Sequence, residues 1–279
     1  MKNHVSFRLT IGLIALCFFT FGAAAVNAQQ PEELNYVPES PCASFPKENA
    51  FDSFEKAFQS PEKVECLNPV FEGDDLNMKS LPAKFGTLVN LEVFSFGCLE
   101  QLTTLPASIG NLSKMTELII DNGNGCSMSV ALPASIGKLQ NLRVLRLYGA
   151  MESAKPLPAS IAQLRSLEVL DLGRNGLTTV PASIAALSNL KTLRLEYNAL
   201  KAVPAFVGNF KNLQELSIDA NENIKMLPAP LGKIKGLKVS MGNNALKLRD
   251  QKTLRTRFPN IAFSFENEFD DGRANEEAK

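Results

Sequence analysis

Seven times along the chain a Leu-Pro or Val-Pro pair opens the same order of apolar and polar positions, with the proline at Pro82, Pro106, Pro133, Pro158, Pro181, Pro204 and Pro228. Counting from each proline, apolar residues stand at the third, sixth and ninth places, as in Ile109, Leu112 and Met115 or Ile184, Leu187 and Leu190. The spacing then drops to two: Phe94/Phe96, Leu118/Ile120, Leu145/Leu147, Leu170/Leu172, Leu193/Leu195 and Leu216/Ile218 each flank one variable residue. A period near three puts the marked side chains on one face of a helical or 3₁₀ turn, and a period of two puts them on one face of a strand. Each unit is therefore predicted to be a short helical turn followed by a short strand. The proline suits the first turn, where a missing N–H costs nothing. Neither piece buries its apolar face alone, so successive units must stack strand beside strand around one continuous core. The prolines are 24, 27, 25, 23, 23 and 24 residues apart, and the last unit is one residue short, with Val239/Met241 as its strand pair.

The units resemble leucine-rich repeats of the 23-residue type, for Leu190, Leu193, Leu195, Asn198 and Leu200 match L-x-x-L-x-L-x-x-N-x-L. The resemblance covers residues 64–247, about eight units. It implies an α/β leucine-rich-repeat solenoid, a horseshoe with a parallel β-sheet on the concave face, short helical or 3₁₀ segments on the convex face, and a cap at each end. It also implies a scaffold for protein recognition. The turn asparagine recurs as Asn175, Asn198, Asn221 and Asn244, but Leu99, Gly123 and Ala150 hold that place in the early units, where the turn must be closed by other means.

The flanks read as caps. Residues 29–63 contain a helical stripe of Phe51, Phe54 and Phe58, with Asp52 and Glu55 at capping-box spacing, which predicts a helix over the first repeat. Within 248–265, Lys252 to Arg257 predicts a short basic helix, Pro259-Asn260 a turn and Ile261 to Phe265 a closing strand. Residues 266–279 are acidic and polar and are expected to be a disordered tail. At the other end, Lys2, His4 and Arg8 precede an apolar run from Leu9 to Phe21, and Val26-Asn27-Ala28 offers small residues for cleavage. Residues 1–28 are thus expected to be a signal peptide cut after Ala28, leaving an exported chain with no stable membrane span.

Export would remove His4, the only histidine, and leave 27 basic against 29 acidic groups. Ser-His-Asp and Cys-His catalysis, imidazole shuttles and His-bearing zinc sites all need a side chain that is then absent. No phosphate-binding glycine loop or C-x-x-C pair occurs. Adjacent acids such as Asp74 and Asp75 read as a solvated turn, so no enzyme activity is expected. The basic run Lys247, Arg249, Lys252, Arg255 and Arg257 reads as a solvated face, not a nucleic-acid site. The Asp121 to Gly125 run lacks the closing acid of a calcium loop, and the cysteines lack zinc spacing, so no metal and no cofactor is expected. Four cysteines remain after processing and allow three pairings, or else four free structural thiols; their order and neighbourhood favour Cys42–Cys66, tying the cap to the first strand, and Cys98–Cys126, in loops after adjacent strands.

Only alternate side chains of a strand enter the core, so the intervening residues face solvent on the concave sheet. The central column reads Ser95, Ile119, Arg146, Asp171, Arg194, Ser217 and Ser240, beside Gly97, Asp121, Tyr148, Gly173, Glu196, Asp219 and Gly242. Candidate ligand-binding residues are Arg146, Tyr148, Asp171, Arg194, Glu196, Tyr197 and Asp219, because arginine and tyrosine anchor interfaces. Three alternatives stay open. The charges can serve only to keep an open sheet soluble. The enlarged loops 121–131 and 148–156 can carry the site instead. The ligand can be a protein or peptide outside the cell or in its envelope, or else a glycan or cell-wall polymer, which the scarcity of exposed aromatics disfavours.

Overall fold

The computed structural model describes residues 40–71, 77–122, 127–151 and 156–265. The expected signal peptide, the acidic tail, Asp74, Asp75, Cys126 and the middle of both enlarged loops lie outside the described residues. Ten parallel strands form one open sheet in chain order: β1 (Ala50–Phe51), β2 (Cys66–Leu67), β3 (Val93–Phe96), β4 (Glu117–Asp121), β5 (Val144–Tyr148), β6 (Val169–Asp171), β7 (Thr192–Arg194), β8 (Glu215–Ser217), β9 (Lys238–Ser240) and β10 (Ala262–Ser264). Between them run 3₁₀ segments of one pattern, among them Ala107–Asn111, Ala134–Lys138, Ala159–Gln163, Ala182–Ala186 and Ala205–Asn209.

Each repeat proline stands one residue before its 3₁₀ segment, outside the first turn, with φ between −53° and −72°. Its ring fixes an extended approach and its carbonyl accepts the N–H three residues on, as from Ile109 to Pro106 at 3.0 Å. The apolar residues after it are sealed: Ile109, Leu112, Met115 and their counterparts Ile184, Leu187 and Leu190 are fully buried. The 3₁₀ segments pack closely because small residues face one another. A Cβ added to Gly208 would stand 2.4 Å from the Cβ of Pro230 and 2.6 Å from its carbonyl carbon, so only glycine permits that approach.

Two successive N–H groups usually enter one carbonyl of the preceding unit: Thr116 and Glu117 both reach Glu92, and Lys191 and Thr192 both reach Glu168. In the last unit only Lys238 reaches Gln214, since one residue is missing there. Gly236 takes up the tighter turn in the left-handed region, at φ +72°.

The turn asparagines form a buried ladder. The amide of Asn198 donates to the carbonyls of Leu172, Leu195 and Glu196, and its oxygen accepts the N–H groups of Asn175 and Leu177. Asn221 repeats this one unit later, donating to Leu195, Ile218 and Asp219 and accepting from Leu200. Where Ala150 replaces the asparagine, Asn122 donates to the Gly149 carbonyl and Asn175 accepts the Met151 N–H, so neighbours on either side close the turn.

The N-terminal helix α1 spans Phe54–Gln59 and is capped by Ser53, whose Oγ accepts the Lys56 N–H. This departs from the sequence expectation in two ways. Asp52 lies outside the helix and pairs with Lys56 at 2.7 Å, and Phe51 belongs to β1, its carbonyl taken by Asn68. Phe54 still closes the core, with Phe58 stacked 5.9 Å away and Phe85 edge-on at 6.2 Å. The Cys42–Cys66 disulfide is present. It sits with Phe45 and Ala50 against Val93 in a small apolar cluster separate from the main core. At the other end α2 (Leu248–Arg257) starts four residues before the predicted basic helix and buries Leu254, and β10 closes the sheet.

Candidate functional site

Strand register sets the surface. Ser95, Ile119, Arg146, Asp171, Arg194, Ser217 and Ser240 are consecutive partners across β3 to β9, the column read from the sequence. The column is not uniformly open. Val93 and Ser95 are buried, with Val93 beneath the disulfide cluster. The accessible face therefore begins at β4, with Ile119, Val144 and Val169 half-buried on it.

The middle of the face carries a charged cluster built around one buried acid. Asp171 is 3% exposed, and its Oδ1 accepts the Gly173 N–H at 3.0 Å. Its Oδ2 draws in two guanidiniums, Arg146 Nε at 3.3 Å and Arg194 Nη1 at 4.0 Å, and Arg146 also lies 3.8 Å from Asp121. The Arg146 N–H is not aimed at the carboxylate, so this is an ion pair without a hydrogen bond. Burial pushes the Asp171 carboxyl above its ordinary value, against the pull of the Gly173 N–H and the two arginines. Glu196 is raised for the same first reason, with Asp171 adding repulsion, while its backbone, Ser217 and Arg194 pull it back.

Tyr148 leans across the strand beside it. A Cβ on Gly173 would fall 2.7 Å from its ring, so the ring occupies the space left by a residue without a side chain. Burial is the main cause of the raised Tyr148 phenol, followed by the charge of Glu196. At the end of most strands the chain passes through a left-handed residue, Arg174 (φ 57°), Tyr197 (φ 54°) and Asn243 (φ 55°) among them. These turns set Tyr197, 42% exposed, on the rim beside Glu196. Arg146, Tyr148, Asp171, Arg194, Glu196 and Tyr197 thus fall within three adjacent strands and their exits.

Asp219 is held by its own neighbours. Its Oδ1 accepts the Ser240 hydroxyl and the Gly242 N–H, and its Oδ2 accepts the Ser217 hydroxyl at 2.8 Å. It orients the two serines that floor a shallow depression bounded by Arg194, Lys238 and Ser264. Sequence reading placed Asp219 on the correct face but gave no sign that both its oxygens were taken.

Two features went unread. Asn90, Asn141, Asn189 and Asn212, each eight places after a proline, donate to carbonyls of the preceding unit and form a second, exposed ladder. The recurrence of that asparagine was the available signal. Next to it Glu168 bridges Arg143 at 2.9 Å and Lys191 at 2.7 Å, and the Lys191 hydrogen bond is the chief cause of its lowered carboxyl. Cys98 is disulfide-bonded, while its expected partner Cys126 lies outside the described residues. Among the described residues there is no group of three metal-ligating side chains and no helix long and apolar enough to cross a membrane.

The family described as leucine-rich repeat region matches residues 134–254. The fold is a leucine-rich-repeat solenoid. The leucine-rich repeat domain of the type III effector XopL superposes with a TM-score of 0.51 at 21% identity, over 68% of this chain and 74% of that one, and shares its fold. The ectodomain of the Arabidopsis thaliana receptor kinase GASSHO1/SCHENGEN3, in complex with CASPARIAN STRIP INTEGRITY FACTOR 2, gives 0.43 at 20% identity over 67% of this chain. An internalin from Listeria monocytogenes gives 0.40 at 14% identity, over 68% of this leucine-rich-repeat chain and 70% of that one. The chain spans only 25% of the length of the GASSHO1/SCHENGEN3 ectodomain and 26% of the chain in a second structure, PEPR1-AtPEP1. No curated protein sequence matches it.

Proposed function

We propose that this leucine-rich-repeat protein is an exported, non-enzymatic module that binds a protein or peptide on the open part of its concave face. The observation that carries this is the cluster on β5 to β7. Two arginines converge on one buried carboxylate, Arg194 remaining 39% exposed, and tyrosines stand beside them. A sheet that needed only solubility has no use for an acid buried at such desolvation cost. A pair of oriented guanidiniums with aromatic neighbours is the composition of an interface anchor. The Cys42–Cys66 disulfide supports export, since such bonds persist in oxidising compartments.

The test is capture from surface and secreted extracts by the full chain with its disulfides oxidised. The control is a variant carrying Arg194→Glu and Tyr197→Asn, asparagine being chosen because it tolerates the left-handed backbone there. Circular dichroism first establishes that both are folded. A protein captured by the parent and lost by the variant supports concave recognition. Equal capture by both moves the site off this face. Fractionation that finds the full-length chain in the cytosol with reduced thiols removes the exported part of the reading.

A further inference from the structure

We propose that Glu196 is the receptor for a basic side chain of the bound protein or peptide, a lysine or arginine that enters beside the ring of Tyr148. This rests on the concave-face reading above and names the chemistry of its partner. The other acids of this region are answered from within the protein: Asp171 by Gly173 and two arginines, Asp219 by two serines and the Gly242 N–H, Glu168 by Arg143 and Lys191. Glu196 is different. Its Oε2 is buried, yet no donor reaches it. A carboxylate oxygen withdrawn from water without a donor is a costly arrangement, removed when a donor arrives.

The surroundings select the kind of donor. The groups whose charge or hydrogen bonding reaches Glu196 are Tyr148 on β5, Asp171 on β6, Arg194 on its own strand and Ser217 on β8. Ser217 pulls on the Glu196 carboxyl, but its hydroxyl donates to Asp219 at 2.8 Å and leaves Oε2 of Glu196 without a donor. Arg194, the nearest cation on the strand, leans toward Asp171 instead. The site therefore has excess acceptor capacity, an adjacent second acid and an aromatic wall, with Tyr197 on the rim. An ammonium or guanidinium gains a charge-assisted hydrogen bond to the carboxylate and a favourable contact with the ring. Tyr148 lies over the space above Gly173, between β5 and the strand that carries Glu196, and offers its ring as the wall along which a cation enters.

The experiment uses the full chain with oxidised disulfides and ¹³C-labelled glutamate carboxyls, observed by NMR. The probes are N-acetyl-arginine methylamide and N-acetyl-lysine methylamide, with N-acetyl-norleucine methylamide as the uncharged control. The expected result is that the cationic probes shift the Glu196 carboxyl and the Tyr148 ring together and lower the pH at which Glu196 titrates. In Glu196→Gln, which keeps the shape, the affinity falls about tenfold, the loss of one charge-assisted contact. Equal shifts from norleucine, or a Glu196 resonance that none of the probes moves, overturns the proposal. A captured partner lost by Arg194→Glu with Tyr197→Asn but retained by Glu196→Gln overturns it too, while leaving concave recognition standing. Capture unaffected by every variant removes the concave reading and this proposal together.

Discussion

Replacing Asn198 with alanine tests the buried ladder most directly, because its bonds divide into those that have a substitute and those that do not. The Leu195 carbonyl also accepts from Asn221, and the Glu196 carbonyl from the Arg174 N–H, so both survive the change. The N–H groups of Asn175 and Leu177 lose their acceptor, and the Leu172 carbonyl loses the Asn198 donor. A buried donor without an acceptor costs about 1–3 kcal/mol. Leu177 sits where water has partial access, so most of the penalty falls on Asn175 and Leu172. The expected destabilisation is about 3 kcal/mol, a large fraction of the stability of an ordinary domain. Urea unfolding with the disulfides intact gives the global value. Because repeat arrays depart from two-state behaviour, hydrogen exchange gives the local one. The Asn175 and Leu177 amides should lose protection while those of β3 and β4 keep theirs. A loss under about 0.5 kcal/mol, with both amides still protected, would refute the claim that this side chain closes the turn.

Three further outcomes follow from the structure. Cys42→Ser with Cys66→Ser opens a 24-residue separation, and by the chain-entropy estimate it lowers stability by about 3 kcal/mol, with Val93 becoming accessible to solvent; thermal unfolding and exchange at β2 and β3 read both effects. Gly208→Ala drives a methyl into the Pro230 backbone and should cost more than Gly236→Ala, where the space is open and only the left-handed backbone objects; paired urea titrations rank them, and the reverse order would contradict the packing described. Asp171 has a folded value raised above its unfolded one, so it favours folding fully below the ordinary carboxylate range, and that contribution is lost as pH rises through the raised value. Asp52 and Glu168 are lowered and act oppositely, favouring folding above the ordinary range and losing that as pH falls. NMR titration of the Asp171 carboxyl checks the sign, and a midpoint below the ordinary aspartate value would be inconsistent with it.

Much of the fold was legible because register and periodicity are properties of the chain itself. Seven prolines and the switch from threefold to twofold spacing place the strands, and the same count puts Arg146, Asp171 and Arg194 in one line, as the strand register does. What escaped was the commitment of side chains to partners about one repeat away. No count along the sequence shows that Ser217 and Ser240 consume both oxygens of Asp219, or that a bare Gly173 lets Tyr148 lie across β6, since these depend on the rotamer and volume of a neighbour on the next strand. The cover over Val93 escaped for another reason. A strand pattern shows which residues leave the core, but not that the segment tied down by Cys42 then packs upon Val93. The Ser53 cap was missed by one residue because Asp52 satisfies the same spacing rule, and only the pairing of Phe51 into β1 decides between them.

The unbroken strand order from β1 to β10 has a kinetic consequence. Every ladder joins a strand to the one immediately before it in the chain, and the Cys42–Cys66 bond spans about the same stretch of sequence as one repeat. No pairing waits for the far end of the polypeptide, so the search entropy for each step is that of a single short loop and grows no larger as the array lengthens. Assembly can therefore advance unit by unit behind an emerging chain, each completed repeat serving as the template on which the next one closes.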